Sequence, residues 1–299
     1  MKKNGNQIFV FRALISPGRT YQSFLFFNRL NQEASLDFIQ FIILGLIQGV
    51  TEFLPISSAA HLILVPELLG WADQGLAIDL AAHVGTLIAV IYYFRCDLQK
   101  MLVAWYQSGF SLKDPQSCYV WYVLVATVPV AIAGFLARDL VEGELRNPLV
   151  IAGTTIVFGL LLGWADYSGR RSRSESTLQW KDVLLIGLAQ ALALVPGTSR
   201  SGITMTAGLL LGLNREAASR FAFMLSIPVT LLAGAYGVMN LIQSSETVDW
   251  TAVLIVTLVS AGTAFLTIHY FLKFLQRFGM MPYVIYRMLL GTILLFLFV

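Results

Sequence analysis

Two short stretches carry reactive side chains where a hydrocarbon setting would be expected to exclude them. The first, QGVTEFLPISSAAH (48–61), sits between FIILGLI and LILV and holds Gln48, Glu52, Ser57, Ser58 and His61. Gln48 and Glu52 stand at i and i+4, so a helix presents both on one face. Two oxygen-bearing side chains one turn apart can offer a hard divalent cation part of an octahedral shell, with phosphate oxygens and water completing it. Pro55 stops that half-helix, and Ser57 and Ser58 lie where a new one begins. Hydroxyls and free backbone N–H groups are then presented together, which attracts phosphate. His61 falls on the same face, as a base toward a hydroxyl or as a nucleophile or acid toward a phosphoryl group.

The second stretch, PGTSRSGIT (196–204), has the complementary chemistry. Gly197 permits a tight turn and close backbone approach, and Thr198, Ser199, Ser201 and Thr204 are candidate substrate contacts. Arg200 supplies a permanently charged fork suited to bidentate phosphate binding. A helix, ITMTAGLLLGL, then starts with its positive end toward the same point. An ionised group at mid-bilayer costs roughly 2.5 to 3.5 kcal/mol on insertion scales, so Glu52 and Arg200 are functional candidates by default. The plainer alternative is that Glu52 only pairs with Arg200 and ties the two stretches together.

The elements that must position these groups follow from composition. The chain has 299 residues, 57% hydrophobic and 12% charged, with a mean hydropathy of +0.72. Apolar runs near the ~20 residues needed to cross a bilayer recur along it, so it reads as an integral membrane protein with one helical membrane domain. The net charge of +3 says little about nucleic acid, and none is expected as a partner. Cys96 and Cys118 suggest neither a metal site nor a disulfide framework. Residues 1–34, broken by Arg12, Pro17, Arg19 and Arg29, read as an N-terminal extension, interfacial or upstream of the true start. The membrane domain is expected over 35–299.

Six segments read as full crossings: 76–94, 119–138, 148–167, 221–242, 251–271 and 283–299. Residues 37–70 and 183–213 are broken near their middles into halves too short to span. The connections with Arg95, Lys100 and Lys113, with Arg170, Arg171, Arg173 and Lys181, and with Lys273 and Arg277 are expected in the cytoplasm. The acidic connections 139–147 and 243–250 then lie outside. By parity both broken segments become re-entrant hairpins entered from opposite faces. Gly45, Leu46 and Gln48 recur as Gly187, Leu188 and Gln190, each 142 positions on, with Pro and Ser following after a one-residue slip. The expected fold is therefore all-α, with six transmembrane helices and two re-entrant hairpins in an inverted-topology repeat, halves about 37–167 and 183–299, and the hairpin tips meeting near the midplane.

Other candidates are weaker. Asp79 and His83, one turn apart, read as packing or mutual hydrogen bonding ahead of a ligand role. His269 reads as interfacial, and Tyr283, Tyr286 and Arg287 as interface anchors. Together the residues suit phosphoryl chemistry on an amphiphile whose tail stays in the bilayer, or its carriage across.

QGVTEFLPISSAAH and PGTSRSGIT resemble the two signature motifs of the undecaprenyl-diphosphatase family, bacitracin-resistance type, written (E/Q)xxxE and PGxSRSxxT. The resemblance covers about residues 37–299. It implies removal of the terminal phosphate of undecaprenyl diphosphate at the bacterial cytoplasmic (inner) membrane, which recycles the lipid carrier for peptidoglycan and confers bacitracin resistance. It also implies a divalent cation, Mg2+ or Ca2+, and the fold of six crossings and two re-entrant hairpins. By the same resemblance Glu52 is the essential acidic metal-site residue, Gln48 its variable partner, Ser58 and His61 the catalytic pair, and Arg200 the phosphate-binding arginine. Positions 59 and 60 are both Ala where many members have Thr-Gly or Ser-Gly, so no phosphate role falls at 59. The expected partners are the polyprenyl diphosphate and the bilayer, with a homodimer left open. The rival reading is a flippase for the lipid monophosphate, which would need neither nucleophile nor metal; a membrane scaffold would leave Glu52, His61 and Arg200 unexplained.

Overall fold

The computed structural model describes residues 38–71, 75–137, 145, 147–244 and 248–298; the N-terminal extension 1–34 and parts of both acidic connections lie outside the described residues. The chain divides into Met1–Ile43, of which only the first turns of a helix are described, and Leu44–Val299, which holds everything that follows. The helices are α1 (Phe38–Thr51), α2 (Ser58–Leu69), α3 (Leu76–Tyr93), α4 (Arg95–Gln107), α5 (Pro115–Leu136) and α6 (Pro148–Ser168). After them come α7 (Trp180–Ala191), α8 (Arg200–Leu210), α9 (Arg215–Gln243), α10 (Trp250–Phe278) and α11 (Met281–Phe298).

Among the described residues six helices, α3, α5, α6, α9, α10 and α11, are long and apolar enough to cross a bilayer. Their outer surfaces are apolar too: Phe135, Tyr167 and Phe296 are 85%, 88% and 86% exposed, which suits contact with lipid and not with water. The chain is a multi-pass membrane protein on this basis. At 1.5 Å per residue, the 12 residues of α2 and the 11 of α8 reach about 18 and 16 Å, roughly half of a ~30 Å hydrocarbon core.

Helix starts follow local chemistry. Asp114 caps α5 by accepting from Ser117 N, and Asn147 caps α6 by accepting from Leu149 N, each followed by a proline that has no N–H to leave orphaned. Asn214 and Asp249 cap α9 and α10 in the same way. Each such cap contributes about 1 kcal/mol.

Glycines bring the broken segments close to the long helices. A Cβ on Gly45 would stand 3.0 Å from Val259 Cβ on α10, and one on Gly187 would stand 2.9 Å from Ala126 Cα on α5. Lipid tails are as apolar as leucine, so such close backbone approach, through dispersion, does the work that hydrophobic burial does in water. Phe53, beside the first tip, is fully buried and meets Phe223 of α9 edge-on at 5.2 Å, and Phe223 also faces Phe94 and Phe271.

Two expectations change. The connection after the first crossing is mostly the helix α4, which Arg220 of α9 anchors through Asp97 at 2.6 Å while also holding Glu175 at 3.0 Å. Its charges, mixed with apolar residues, mark a helix at the edge of the bundle and not a loop. Arg287, expected as an interface anchor, is instead fully buried. Its guanidinium donates to the carbonyls of Pro55, Thr198 and Gly197 at 3.2, 3.0 and 2.9 Å, and to those of Thr154 and Thr155 on α6 at 3.4 and 3.0 Å. A buried cation needs its donors satisfied, and here backbone carbonyls from both tips do so. Arg287 therefore fastens one tip to the other.

Candidate active site

Both tips use the same backbone device. Ser57 has φ +73° and Ser199 φ +70°, and a helix begins at the next residue in each case, α2 at Ser58 and α8 at Arg200. The left-handed region costs a non-glycine residue roughly 1–2 kcal/mol, so the surrounding contacts must hold it. At the second tip the serine caps its own helix, Ser199 Oγ accepting from Gly202 N at 3.2 Å. The tips touch directly, since Ser201 Oγ donates to Leu54 O at 2.9 Å and lies 3.2 Å from Ser199 Oγ.

The reactive side chains converge on Glu52. Its Oε1 lies 2.5 Å from Arg200 Nη2. Its Oε2 accepts from Ser58 Oγ at 2.7 Å and from Gln48 Nε2 at 3.1 Å. Glu52 and Arg200 are only 9% and 13% exposed, so each depends on the other for its charge to be tolerated. A cavity of about 340 Å³ opens beside them, and Glu52, Ser57, Ser58, Gly197, Ser199 and Arg200 line it. The first residues of two helices, Ser58 of α2 and Arg200 of α8, thus line one cavity, at the ends where the helix dipoles are positive.

The histidines exchange places. His61 does not reach Ser58: its Nδ1 donates to Ser57 O at 2.7 Å, its Nε2 lies 2.6 Å from the Tyr286 hydroxyl, and its ring stacks on Tyr286. Both nitrogens are used away from the cavity, so the expected Ser58–His61 pair is not assembled. His83, set aside on sequence, lines the cavity with Asp79, and its Nε2 is 4.0 Å from Glu52 Oε2. Its Nδ1 meets Asp79 O at 2.8 Å; a carbonyl only accepts, so Nδ1 carries a hydrogen and Nε2 is left on the Glu52 side.

The remaining candidates divide. Thr198 is fully buried with its carbonyl on Arg287, and it does not line the cavity. Thr204 spends its hydroxyl on the carbonyls of Arg200 and Ser201 within α8. Gln48 is fully buried behind Glu52, and its Oε1 has no partner. Among the described residues no three acidic, histidine or cysteine side chains converge as a preformed metal cage. The donor set fits a different case, a Mg2+ that takes one carboxylate and relies on phosphate oxygens and water. Glu52 would be that carboxylate, and the orphaned Gln48 Oε1 would add an oxygen beside it.

Comparison with known proteins agrees in extent with these motifs. The chain is 54% identical over 264 residues to the undecaprenyl-diphosphatase of Nitrosococcus oceani, covering 88% of this chain and 100% of that protein. It is 54% identical over 267 residues to undecaprenyl-diphosphatase 2 of Stutzerimonas stutzeri, with 88% and 99% covered. It is 52% identical over 266 residues to the undecaprenyl-diphosphatase of Thioalkalivibrio sulfidiphilus, with 88% and 100% covered. Residues 41–293 match the family described as bacitracin resistance protein BacA, and the chain belongs to that family.

Proposed function

We propose that the protein hydrolyses undecaprenyl diphosphate to undecaprenyl phosphate and inorganic phosphate, the activity for which its relatives are named. The observation that carries this reading is the Ser58–Glu52–Arg200 chain at the meeting of two helix N-termini. Arg200 and the N–H groups of α2 and α8 receive the diphosphate and offset charge on the transferred phosphoryl group. Ser58 Oγ attacks the terminal phosphorus as its proton passes to Glu52 Oε2, which it already touches. The bridging P–O bond breaks and the lipid phosphate leaves with the electron pair. Water beside His83 Nε2 then attacks the phosphorus; the P–O bond to Ser58 breaks, Glu52 returns its proton to Ser58 Oγ, and inorganic phosphate leaves with the oxygen and protons of that water. A divalent cation, Mg2+ or Ca2+, would be held by Glu52 with Gln48 assisting, and it supplies charge neutralisation at the diphosphate oxygens.

The arrangement in the membrane belongs to this reading. The halves of the two broken segments are too short to span, their tips are joined through Ser201 and Arg287, and both tips carry a serine at positive φ. These features support two re-entrant hairpins in an inverted repeat. The cavity is lined from the first half of α3 and the second halves of α5 and α9. With the basic connections in the cytoplasm, those are the outer halves, so substrate arrives on the outer side of the bacterial cytoplasmic membrane. Hydrolysis there recycles the carrier for peptidoglycan and underlies bacitracin resistance.

Phosphate release from undecaprenyl diphosphate by the purified protein, with and without EDTA and beside Glu52→Ala, tests the assignment. Release abolished by both treatments is the expected result. Wild-type release from Glu52→Ala would remove the carboxylate from the chemistry, and a folded wild type that binds the lipid without releasing phosphate would favour a flippase.

A further inference from the structure

A second cavity, of about 440 Å³, lies toward the opposite ends of α5 and α9 from the candidate active site. Asp97 and Lys100 of α4, Tyr119 and Tyr122 of α5, Glu175 of the connection before α7 and Arg220 of α9 line it. The phosphoryl chemistry uses none of them. We propose that this cavity binds the zwitterionic head group of an aminophospholipid, with the phosphate on Lys100 and the ammonium on Asp97 and Glu175. The site is separate from the diphosphatase reaction and does not rest on it.

The charges decide the ligand. Arg220 Nη2 lies 2.6 Å from Asp97 Oδ2 and its Nε lies 3.0 Å from Glu175 Oε2, so one guanidinium serves two carboxylates and one negative charge is left over. Asp97 and Glu175 stay 40% and 28% exposed, which leaves both within reach of a ligand. Lys100, one turn on from Asp97 along α4, makes no ion pair among the described residues. The cavity therefore carries a surplus negative and a surplus positive charge that do not pair with each other. A simple anion would meet the carboxylates, and a simple cation would meet Lys100 and Arg220. A ligand bearing both charges satisfies each.

Depth makes that ligand a lipid. Helix α5 has 22 residues and so spans about 33 Å, little more than the ~30 Å hydrocarbon core. Its first two turns, which hold Tyr119 and Tyr122, thus lie at the edge of the hydrocarbon, the level where tyrosines are favoured and head groups begin. Met101, Leu178 and Met224 give the cavity an apolar part beside its charges. Leu112 also lines it and is 56% exposed, so the cavity is open at the surface of the bundle. Its volume falls within the roughly 300–1,000 Å³ of small-molecule sites. On the orientation proposed above, the lipid comes from the inner leaflet.

The test is lipid binding by the purified full chain in detergent, read by native mass spectrometry as the fraction of protein that retains lipid at increasing lipid concentration. Four probes separate the contributions. Phosphatidylethanolamine has the whole head group, and phosphatidylcholine keeps both charges but has no ammonium N–H. Phosphatidylglycerol keeps the phosphate alone, and free phosphoethanolamine is the head without its chains. Phosphatidylethanolamine is expected to bind about fivefold more tightly than either other lipid. Lys100→Gln should weaken it by a similar factor, and Asp97→Asn should remove its advantage over phosphatidylglycerol. Lys100 is exposed and unpaired, so Lys100→Gln keeps the test valid even where Asp97→Asn lowers stability. Equal retention of the three lipids overturns the proposal, as does unchanged phosphatidylethanolamine binding in Lys100→Gln. Free phosphoethanolamine that binds as tightly as the lipid would give the site to a soluble ligand and overturn the assignment to a membrane lipid.

Discussion

At 55–58 and again at 196–200 the chain makes the same move: a proline follows one helix, a serine turns to positive φ, and a second helix starts at the next residue. What differs is that next residue and its surroundings. The first tip places Ser58 there with Glu52 behind it; the second places Arg200. One backbone form thus provides two helix N-termini for an anion, while the side chains divide into hydroxyl and carboxylate on one side and guanidinium on the other. Neither tip holds a full set, and Arg287 fastens them by donating from one buried fork to carbonyls of both.

The largest effect should come from removing the cation of the second tip. Arg200→Ala is expected to lower phosphate release about 10³-fold. It should also destabilise the protein by roughly 3–5 kcal/mol, since Glu52 is left as an uncompensated buried charge. Arg200→Lys should restore the stability more than the turnover, because an ammonium lacks the fork. Full turnover in the lysine variant would reduce the second tip to a counter-ion.

The two histidines sharpen the contrast between a tip and its supports. His83→Ala should lower turnover by about 10- to 100-fold with little change in thermal stability, as it faces the cavity and its partner is its own helix's carbonyl. His61→Ala removes the link from Ser57 to Tyr286 and should cost about 1–3 kcal/mol of stability, with the smaller effect on turnover. The reverse pattern, measured by kinetics and unfolding together, would return His61 to the reaction.

The smallest effect tests the shared backbone. Ser57→Gly and Ser199→Gly should each raise stability by up to about 1 kcal/mol through relief at positive φ. The cap lost at Ser199 offsets only a few tenths, since glycine is a tolerable cap. A fall in melting temperature for both would mean that the serine side chains, not the backbone turn, shape the tips.

The six spans and both breaks were legible in the sequence, because ~20-residue apolar runs and Pro, Gly and Ser clusters are local signals. Glu52, Ser58 and Arg200 were legible for the same reason, as ionisable or hydroxyl groups in apolar surroundings. What escaped depends on distant partners. His61 meets a tyrosine 225 positions away, and helical spacing alone put it beside Ser58. His83 gains its place only because α3 turns that face toward the first tip. Arg287 carried a usable signal: it lies inside an apolar run, so the rule that marked Arg200 applies to it equally. Its nearness to Tyr283 and Tyr286 suggested an interface instead. Helix α4 was hidden by Arg95, Asp97 and Lys100, charges that read as loop although they share its first two turns with Leu98 and Met101.

The most direct measurement is a double-mutant cycle across the tips: phosphate release from undecaprenyl diphosphate by wild type, Ser58→Ala, Arg200→Ala and the double variant, each confirmed as folded. If the tips act in one step, each single variant loses most of the activity and the double loses little more than the worse single, because residues that act as a unit are strongly non-additive. Losses that multiply would mean that Ser58 and Arg200 act independently, and a near-wild-type single variant would contradict a site shared between the tips.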